Sequence, residues 1–259
     1  MDLGIRGRVA LVGGASKGLG RACAEALAQN GADVVIVARN EEKLRQVARE
    51  ISDRSAVRVR YCACDITSGE GIKQVLDVCP NPDILVTNAG GPPPGDFRDW
   101  SRETWIQAIS ANMLGPIDLI KGVLDGMVER RYGRIINVTS AAVKAPVESL
   151  GLSNGARAGL TGFVSGLARQ VVEHNVTINN LLPGSFLTDR LKQNLAFLAD
   201  QKDMPADVVE QERKALIPAK RFGDPDEFGA MCAFLCSVYA GYVTGQNILM
   251  DGGSYRGTL

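Results

Sequence analysis

The chain has 259 residues, a length that suits one large α/β domain or two small ones. Twenty-nine basic residues balance twenty-nine acidic ones and the pI is about 6.6, so there is no net positive field for nucleic acid or an anionic membrane. His174 is the only histidine, which excludes multi-histidine metal sites and leaves one candidate for any Ser-His or Cys-His dyad. No metal is expected. The six cysteines form no Cys-x-x-Cys pair and read as buried, reduced thiols of a cytosolic protein. The first residues carry charges at Asp2, Arg6 and Arg8 and no long apolar run, so no signal peptide is expected.

Short β-branched runs alternate with helical patterns from the start. Val9–Gly13 reads as a strand, Leu19–Asn30 as a helix stopped by Gly31, and Asp33–Ala38 as a strand. Glu41–Ser52 is a charged helix with Leu44, Val47, Ala48 and Ile51 on one face. Strands follow at Val57–Cys62, Ile84–Thr87, Ile135–Val138 and Thr177–Leu182, each separated by helix. Strands apolar on both faces imply a parallel sheet covered on both sides, and the right-handed crossover rule makes it doubly wound. Arg102–Glu129 and Gly151–His174 read as two long helices, wide enough in their apolar faces to meet the core and a partner subunit. Ser185 to about Lys220 is amphipathic through Leu191, Leu195, Phe197 and Leu198, and too long for a simple connection. Beyond the carboxyl end of a strand, such a segment is expected to be a substrate lid. Asp224-Pro225-Asp226-Glu227 is a capping box opening a further helix. Phe228–Met250 has no charge and could span a bilayer by length, but Gly241 and the Thr244–Asn247 stretch divide it into two buried elements. With no linker and no repeat, residues 1–259 read as one domain.

Gly14-Ala15-Ser16-Lys17-Gly18-Leu19-Gly20 follows the first strand and opens the first helix. Glycines there allow a tight turn and close backbone approach to a pyrophosphate, which the helix N-terminus then attracts. Thr87-Asn88-Ala89-Gly90 follows the fourth strand, Asn112 lies in a long helix, and Asn137-Val138-Thr139-Ser140 follows the fifth strand. Pro183-Gly184-Ser185-Phe186-Leu187-Thr188 follows the sixth, and Asp251-Gly252-Gly253 stands near the end. In this order and over essentially the whole chain, the motifs resemble the short-chain dehydrogenase/reductases, in particular the branch of 3-oxoacyl-carrier-protein reductases. The resemblance implies a seven-stranded Rossmann sheet, a nicotinamide cofactor and a homotetramer or homodimer built on the two long helices.

The end of the second strand in this fold meets the adenosine ribose, where an acidic residue selects NAD and a basic one pairs with the 2′-phosphate of NADP. Arg39 stands there, followed by Asn40, with Lys17 in the glycine loop. Two cations at one place favour NADP over NAD. The resemblance adds Asp65, Ile66 and Asn88–Gly90 to the adenine and ribose contacts, and Pro183, Gly184, Phe186 and Thr188 to the nicotinamide end.

The catalytic row departs from the family. Its pattern places a tyrosine thirteen residues after the serine that matches Ser140, and a lysine four further on; this chain has Ser153 and Arg157. Arg157 can still hold the ribose hydroxyls but cannot relay a proton, and a serine hydroxyl is a poor acid at neutral pH. Lys144, on the loop leaving the fifth strand, is the candidate replacement, desolvated beside Ser140 and able to protonate an alkoxide. The resemblance implies that Asn112 binds a water in the proton relay. Gly90–Gly95 holds three prolines that stiffen a loop by the nicotinamide. None of the five tyrosines (61, 132, 239, 242 and 255) falls at the family's position. The expectation is an NADP(H)-dependent oxidoreductase acting on a small carbonyl or alcohol with a non-standard proton donor. The alternatives are a catalytically impaired NADP-binding sensor or scaffold and, less favoured, a lyase or dehalogenase on this scaffold.

Overall fold

A computed structural model describes residues 1–258. Seven runs of β-branched and aliphatic residues form strands β1 (Val9–Gly13), β2 (Asp33–Ala38), β3 (Val59–Ala63), β4 (Ile84–Thr87), β5 (Gly133–Val138), β6 (Val176–Pro183) and β7 (Asn247–Met250). All pair in parallel in the order β3-β2-β1-β4-β5-β6-β7. The chain therefore winds outward from β1 in one direction and from β4 in the other. The diverging loops after these two strands open a crevice at their carboxyl ends, where such sheets bind ligands.

Helices cover both faces. α1 (Gly18–Gln29), α2 (Glu41–Arg54) and α9 (Pro225–Leu235) bury Leu27, Leu44, Ile51, Phe228 and Cys232 on one side. α3 (Gly69–Val78), α5 (Gly115–Glu129) and α6 (Gly151–Val171) bury Val75, Leu119, Val123, Leu160 and Val164 on the other. All six cysteines are buried and free. Contact with the Cys232 thiol, then burial, pushes the Cys23 thiol up, and burial, then the same neighbour, pushes the Cys236 thiol up.

The expected long helix Arg102–Glu129 is continuous but irregular. α4 (Arg102–Ile109) passes through a π-helical turn at Ser110–Leu114 before α5 begins. The capping box stands as expected, with Asp224 Oδ1 accepting from the Asp226 amide at 2.9 Å and Glu227 accepting from the Asp224 amide at 2.8 Å. Phe228–Met250 does divide into α9, a turn and β7, and among the described residues no helix is long and apolar enough to cross a membrane. The 185–220 segment folds as α7 (Asp189–Lys202) and α8 (Ala206–Leu216), with a small core of its own made by Leu195, Ala199, Val209, Ile217 and Phe222. Phe197 points outward and is 54% exposed.

One buried polar row crosses four strands in register. Thr87 donates to Asn137 Oδ1 at 2.6 Å, Asn137 Nδ2 to Asn180 Oδ1 at 3.1 Å, and Asn180 Nδ2 to Asn247 Oδ1 at 2.8 Å. Each middle member spends both ends of its amide on a neighbour, so the row is satisfied where the sheet is dry. Asn137→Leu orphans a hydroxyl and an amide oxygen at once. It is expected to lower unfolding free energy by about 2–5 kcal/mol in urea titration. Asn247→Leu at the sheet's edge is expected to cost less than half of that.

Candidate active site

The turn after β1 is shaped by positions that reject a side chain. Gly14 and Gly18 have φ of +58° and +59°. A Cβ on Gly20 would lie 2.5 Å from the Gly14 carbonyl oxygen. Asn88, at the end of β4, points its amide nitrogen at the Gly13 and Gly14 carbonyls at 3.4 Å each, so its side chain pins the turn. Ser16 is half buried, and α1 starts with its first amides free of a side-chain cap. Leu19 packs into the core beneath the turn, while Ile66 lies 3.4 Å from the space a Gly13 side chain would need.

Ala15 N donates to Val37 O at 3.1 Å, seating the glycine turn on the end of β2. Lys17 and Arg39, two residues beyond each partner, are both exposed and neither side chain makes a hydrogen bond or ion pair among the described residues. Asp65 accepts from the Thr67 amide at 3.0 Å; that bond, the Thr67 hydroxyl and the charge of Arg39 hold its carboxyl below the usual carboxylate range. Asn40 has a local task as the N-cap of α2, accepting from Lys43 N at 2.8 Å. Thr188 N-caps α7 and sets its methyl 3.5 Å from the space of a Gly18 side chain. Pro183 and Gly184 end β6, with Gly184 N donating to Met250 O at 2.8 Å. Phe186 turns into the core, edge-on to Phe228 at 5.3 Å between ring centroids.

The catalytic candidates gather beyond β5. Ser140 caps a short turn there, its hydroxyl oxygen accepting from Ala142 N at 3.1 Å. Ser153 and Arg157 are one turn apart on α6 and both buried, with Arg157 Nε donating to Ser153 Oγ at 3.1 Å. Arg157 also donates to Val138 O at 2.8 Å and to Ala89 O at 3.4 Å, tying the ends of β5 and β4 together. Burial, reinforced by the charge of Arg190, pushes its guanidinium down to about 10. Asn112 sits in the π-helical turn, where such irregularities often serve a site. Its Nδ2 donates to Ala108 O at 3.2 Å, and its buried Oδ1 has no partner among the described residues.

Lys144 is half buried rather than fully desolvated. Its ammonium lies 5.7 Å from the ring centroid of Tyr255. Tyr255 was invisible to motif spacing: the segment after Asp251-Gly252-Gly253 carries it back to the β5 loop, anchored by its own amide on Asp251 Oδ2 at 2.7 Å. Arg190, in the first turn of α7, was also missed; it donates to Gly91 O at 2.8 Å and Pro92 O at 2.9 Å, across ninety-nine and ninety-eight positions of sequence. The proline loop is also tied to the short turn that precedes α6, Gly95 N donating to Ser149 O at 2.9 Å. His174 lies just before β6, at the opposite end of the strands, 3.5 Å from Glu173. No group of three or more metal-ligating side chains occurs among the described residues.

The model of the family described as short chain dehydrogenase matches residues 8–198. The 3-oxoacyl-[acyl-carrier-protein] reductase of Vibrio cholerae is 37% identical over 259 residues, covering 98% of this chain and 99% of the relative. That of Aquifex aeolicus is 33% identical over 260 residues, covering 98% and 100%. Among solved structures, L-sorbose reductase from Gluconobacter frateurii, complexed with NADPH and L-sorbose, superposes with a TM-score of 0.95 at 31% identity, covering 99% of this chain and 100% of that one. With its sheet order, its glycine turn and a match over nearly its whole length, the chain belongs to the short-chain dehydrogenase family.

Proposed function

We propose that the protein is an NADP(H)-dependent oxidoreductase that interconverts a carbonyl and an alcohol, with a proton donor other than tyrosine. The observation that carries the reading is the nucleotide cradle: a glycine turn closed to side chains, with exposed Lys17 and Arg39 at its adenosine end, neither held in a hydrogen bond or salt bridge among the described residues. Two exposed cations suit a dianionic 2′-phosphate, and the NADPH complex of the sorbose reductase lends support. NADPH, when bound, supplies the hydride. Ser140 then orients the carbonyl oxygen by hydrogen bonding, and Lys144 gives the alkoxide its proton. Tyr255 holds the lysine ammonium against its ring face, limiting where that proton can be delivered. Ser153 is unsuited to be the acid, since its hydroxyl pKa is far above a phenol's and its oxygen is engaged by Arg157. Arg157 stays charged at neutral pH and contributes field and position, not a proton. The orphaned Oδ1 of Asn112 is the acceptor a relay water would use.

In the same reading residues 1–259 are one domain and α7 with α8 is the substrate lid. The working form is a homotetramer or homodimer joined through α5 and α6, in keeping with exposed Phe163. A reducing cytosol suits the six free buried thiols. Purified protein assayed with NADPH against a carbonyl panel is expected to turn over, and Lys144→Ala to lose at least about a hundredfold in kcat, the usual scale of general acid catalysis. A wild-type rate in that variant removes the lysine from the mechanism. Tight NADPH binding with no turnover on any carbonyl overturns the enzyme reading in favour of a sensor or scaffold.

A further inference from the structure

Two guanidinium groups approach each other on the side-chain side of Gly91. A Cβ built on Gly91 would lie 3.2 Å and 3.3 Å from the two terminal nitrogens of Arg190 and 3.4 Å from Arg157 Nη2. Arg157 is 8% exposed. Among the described residues neither arginine has an ion pair, and every partner they do have is a carbonyl oxygen or the Ser153 hydroxyl. The other buried arginine of the protein, Arg134, shows what a purely structural role looks like. It lies at the start of β5, away from the carboxyl ends of the strands, with bonds to Ser237 O, Gly133 O, Asn175 O and Asn175 Oδ1 at 2.8–3.3 Å and the Tyr132 ring against it. Arg157 differs in place and in bonding: it lies at the carboxyl ends of β4 and β5, its Nη2 makes one long bond at 3.4 Å, and the charge of Arg190 acts on it. The Arg190 Nε–H has no partner among the described residues.

Two like charges brought together in a partly dry crevice repel, and a carboxylate placed between them relieves both at once. Forked donors on two guanidiniums match its two oxygens. The Nε of the same Arg157 bonds Ser153, which ties the pair to the catalytic row. The arginines also come from the two walls of the site, one from α6 and one from the first turn of α7. An anion bridging them would add to the contact that already joins α7 to the Gly91–Pro92 loop.

We infer that Arg157 and Arg190 form a carboxylate-binding subsite, and that the substrate is an oxo or hydroxy carboxylic acid whose acid group is seated between them. This rests on the oxidoreductase reading for the word substrate, while the subsite itself is readable without turnover. The competing source of negative charge is the phosphate chain of the cofactor, and the two are separable.

Malonate, with malonamide as its neutral twin, is titrated calorimetrically into cofactor-free and NADP⁺-saturated protein. Saturable malonate binding at least tenfold tighter than malonamide is expected in both. Arg190→Gln should weaken malonate at least tenfold while changing NADPH affinity less than threefold. Arg190→Lys, which keeps the charge and loses the fork, should bind malonate more weakly than wild type and more tightly than Arg190→Gln; a role confined to holding the lid would weaken it equally in both variants. Equal binding of malonate and malonamide overturns the subsite. So does an Arg190→Gln variant that binds malonate normally and NADPH poorly, because the pair then serves the cofactor. Failure of wild-type protein to bind NADPH strikes the oxidoreductase reading alone, since malonate binding to cofactor-free protein is read separately.

Discussion

Gly14→Ala is expected to cost the protein its cofactor affinity, by roughly thirtyfold to several thousandfold in an NADPH titration. Two independent penalties meet at this residue. Its φ of +58° is left-handed, which costs a side-chain-bearing residue about 1–2 kcal/mol. The added Cβ would also lie 2.6 Å from Asn88 Nδ2 and 2.7 Å from Asn88 O, and overpacking of that kind costs about 1–3 kcal/mol. Together they come to about 2–5 kcal/mol, with every 1.4 kcal/mol worth tenfold in affinity. The loop can relieve the strain by leaving the conformation that aims its amides into the crevice, so the loss should appear in binding more than in global stability. Gly18→Ala separates the two penalties. Its φ is as unfavourable, but the nearest atom to the new Cβ is a Thr188 methyl at an ordinary 3.5 Å, so only strain remains and about five- to thirtyfold should be lost. Equal losses in the two variants would mean that contact with Asn88 does not shape the turn.

That turn was legible in the sequence because its demands are local: a strand, glycines at fixed spacing, then a helix. The sheet was legible for the same reason, since runs such as Val34–Val37 are apolar on both faces and need cover from both sides. What stayed hidden needed tertiary register or distance. The Asn137–Asn180–Asn247 row looks like three polar interruptions of apolar strands until pairing aligns them. The π-helical turn around Asn112 leaves the helical pattern nearly intact, so Arg102–Glu129 reads as one regular helix. Arg190 and Tyr255 reach the site from α7 and from the chain's end, and no spacing rule links them to Gly91 or Lys144. Asn40 was read as part of the cofactor site because of its neighbour, and the N-cap explains the same residue by local chemistry alone.

Arg39→Asp is expected to reverse the choice of nucleotide. Wild-type protein should bind NADPH well over tenfold more tightly than NADH, because the two cofactors differ only in the phosphate that Arg39 and Lys17 would meet. Hydrogen bonds to charged groups are worth about 1.5–3 kcal/mol, which alone is roughly ten- to over a hundredfold. The aspartate removes that gain and adds repulsion against a dianion, so NADPH affinity should fall by at least about fiftyfold. NADH should hold its affinity or improve, since a carboxylate at this place accepts from both ribose hydroxyls. Lys17→Ala should cost less than Arg39→Asp: an ammonium on a flexible stem lacks the forked geometry, and no new negative charge is introduced. Asp65 makes the direction of the change more secure. Its carboxylate already feels the charge of Arg39, so removing the arginine leaves a second unbalanced negative group near the phosphate. Because both cations are exposed, the preference should shrink as salt rises from 0.05 to 0.5 M on the ordinary screening scale, about 10 Å at 0.1 M. Equal wild-type affinities for the two nucleotides, or an Arg39→Asp variant that still prefers NADPH, would show that the phosphate is read elsewhere; a preference insensitive to salt would place the deciding contact out of solvent, where neither of these side chains lies.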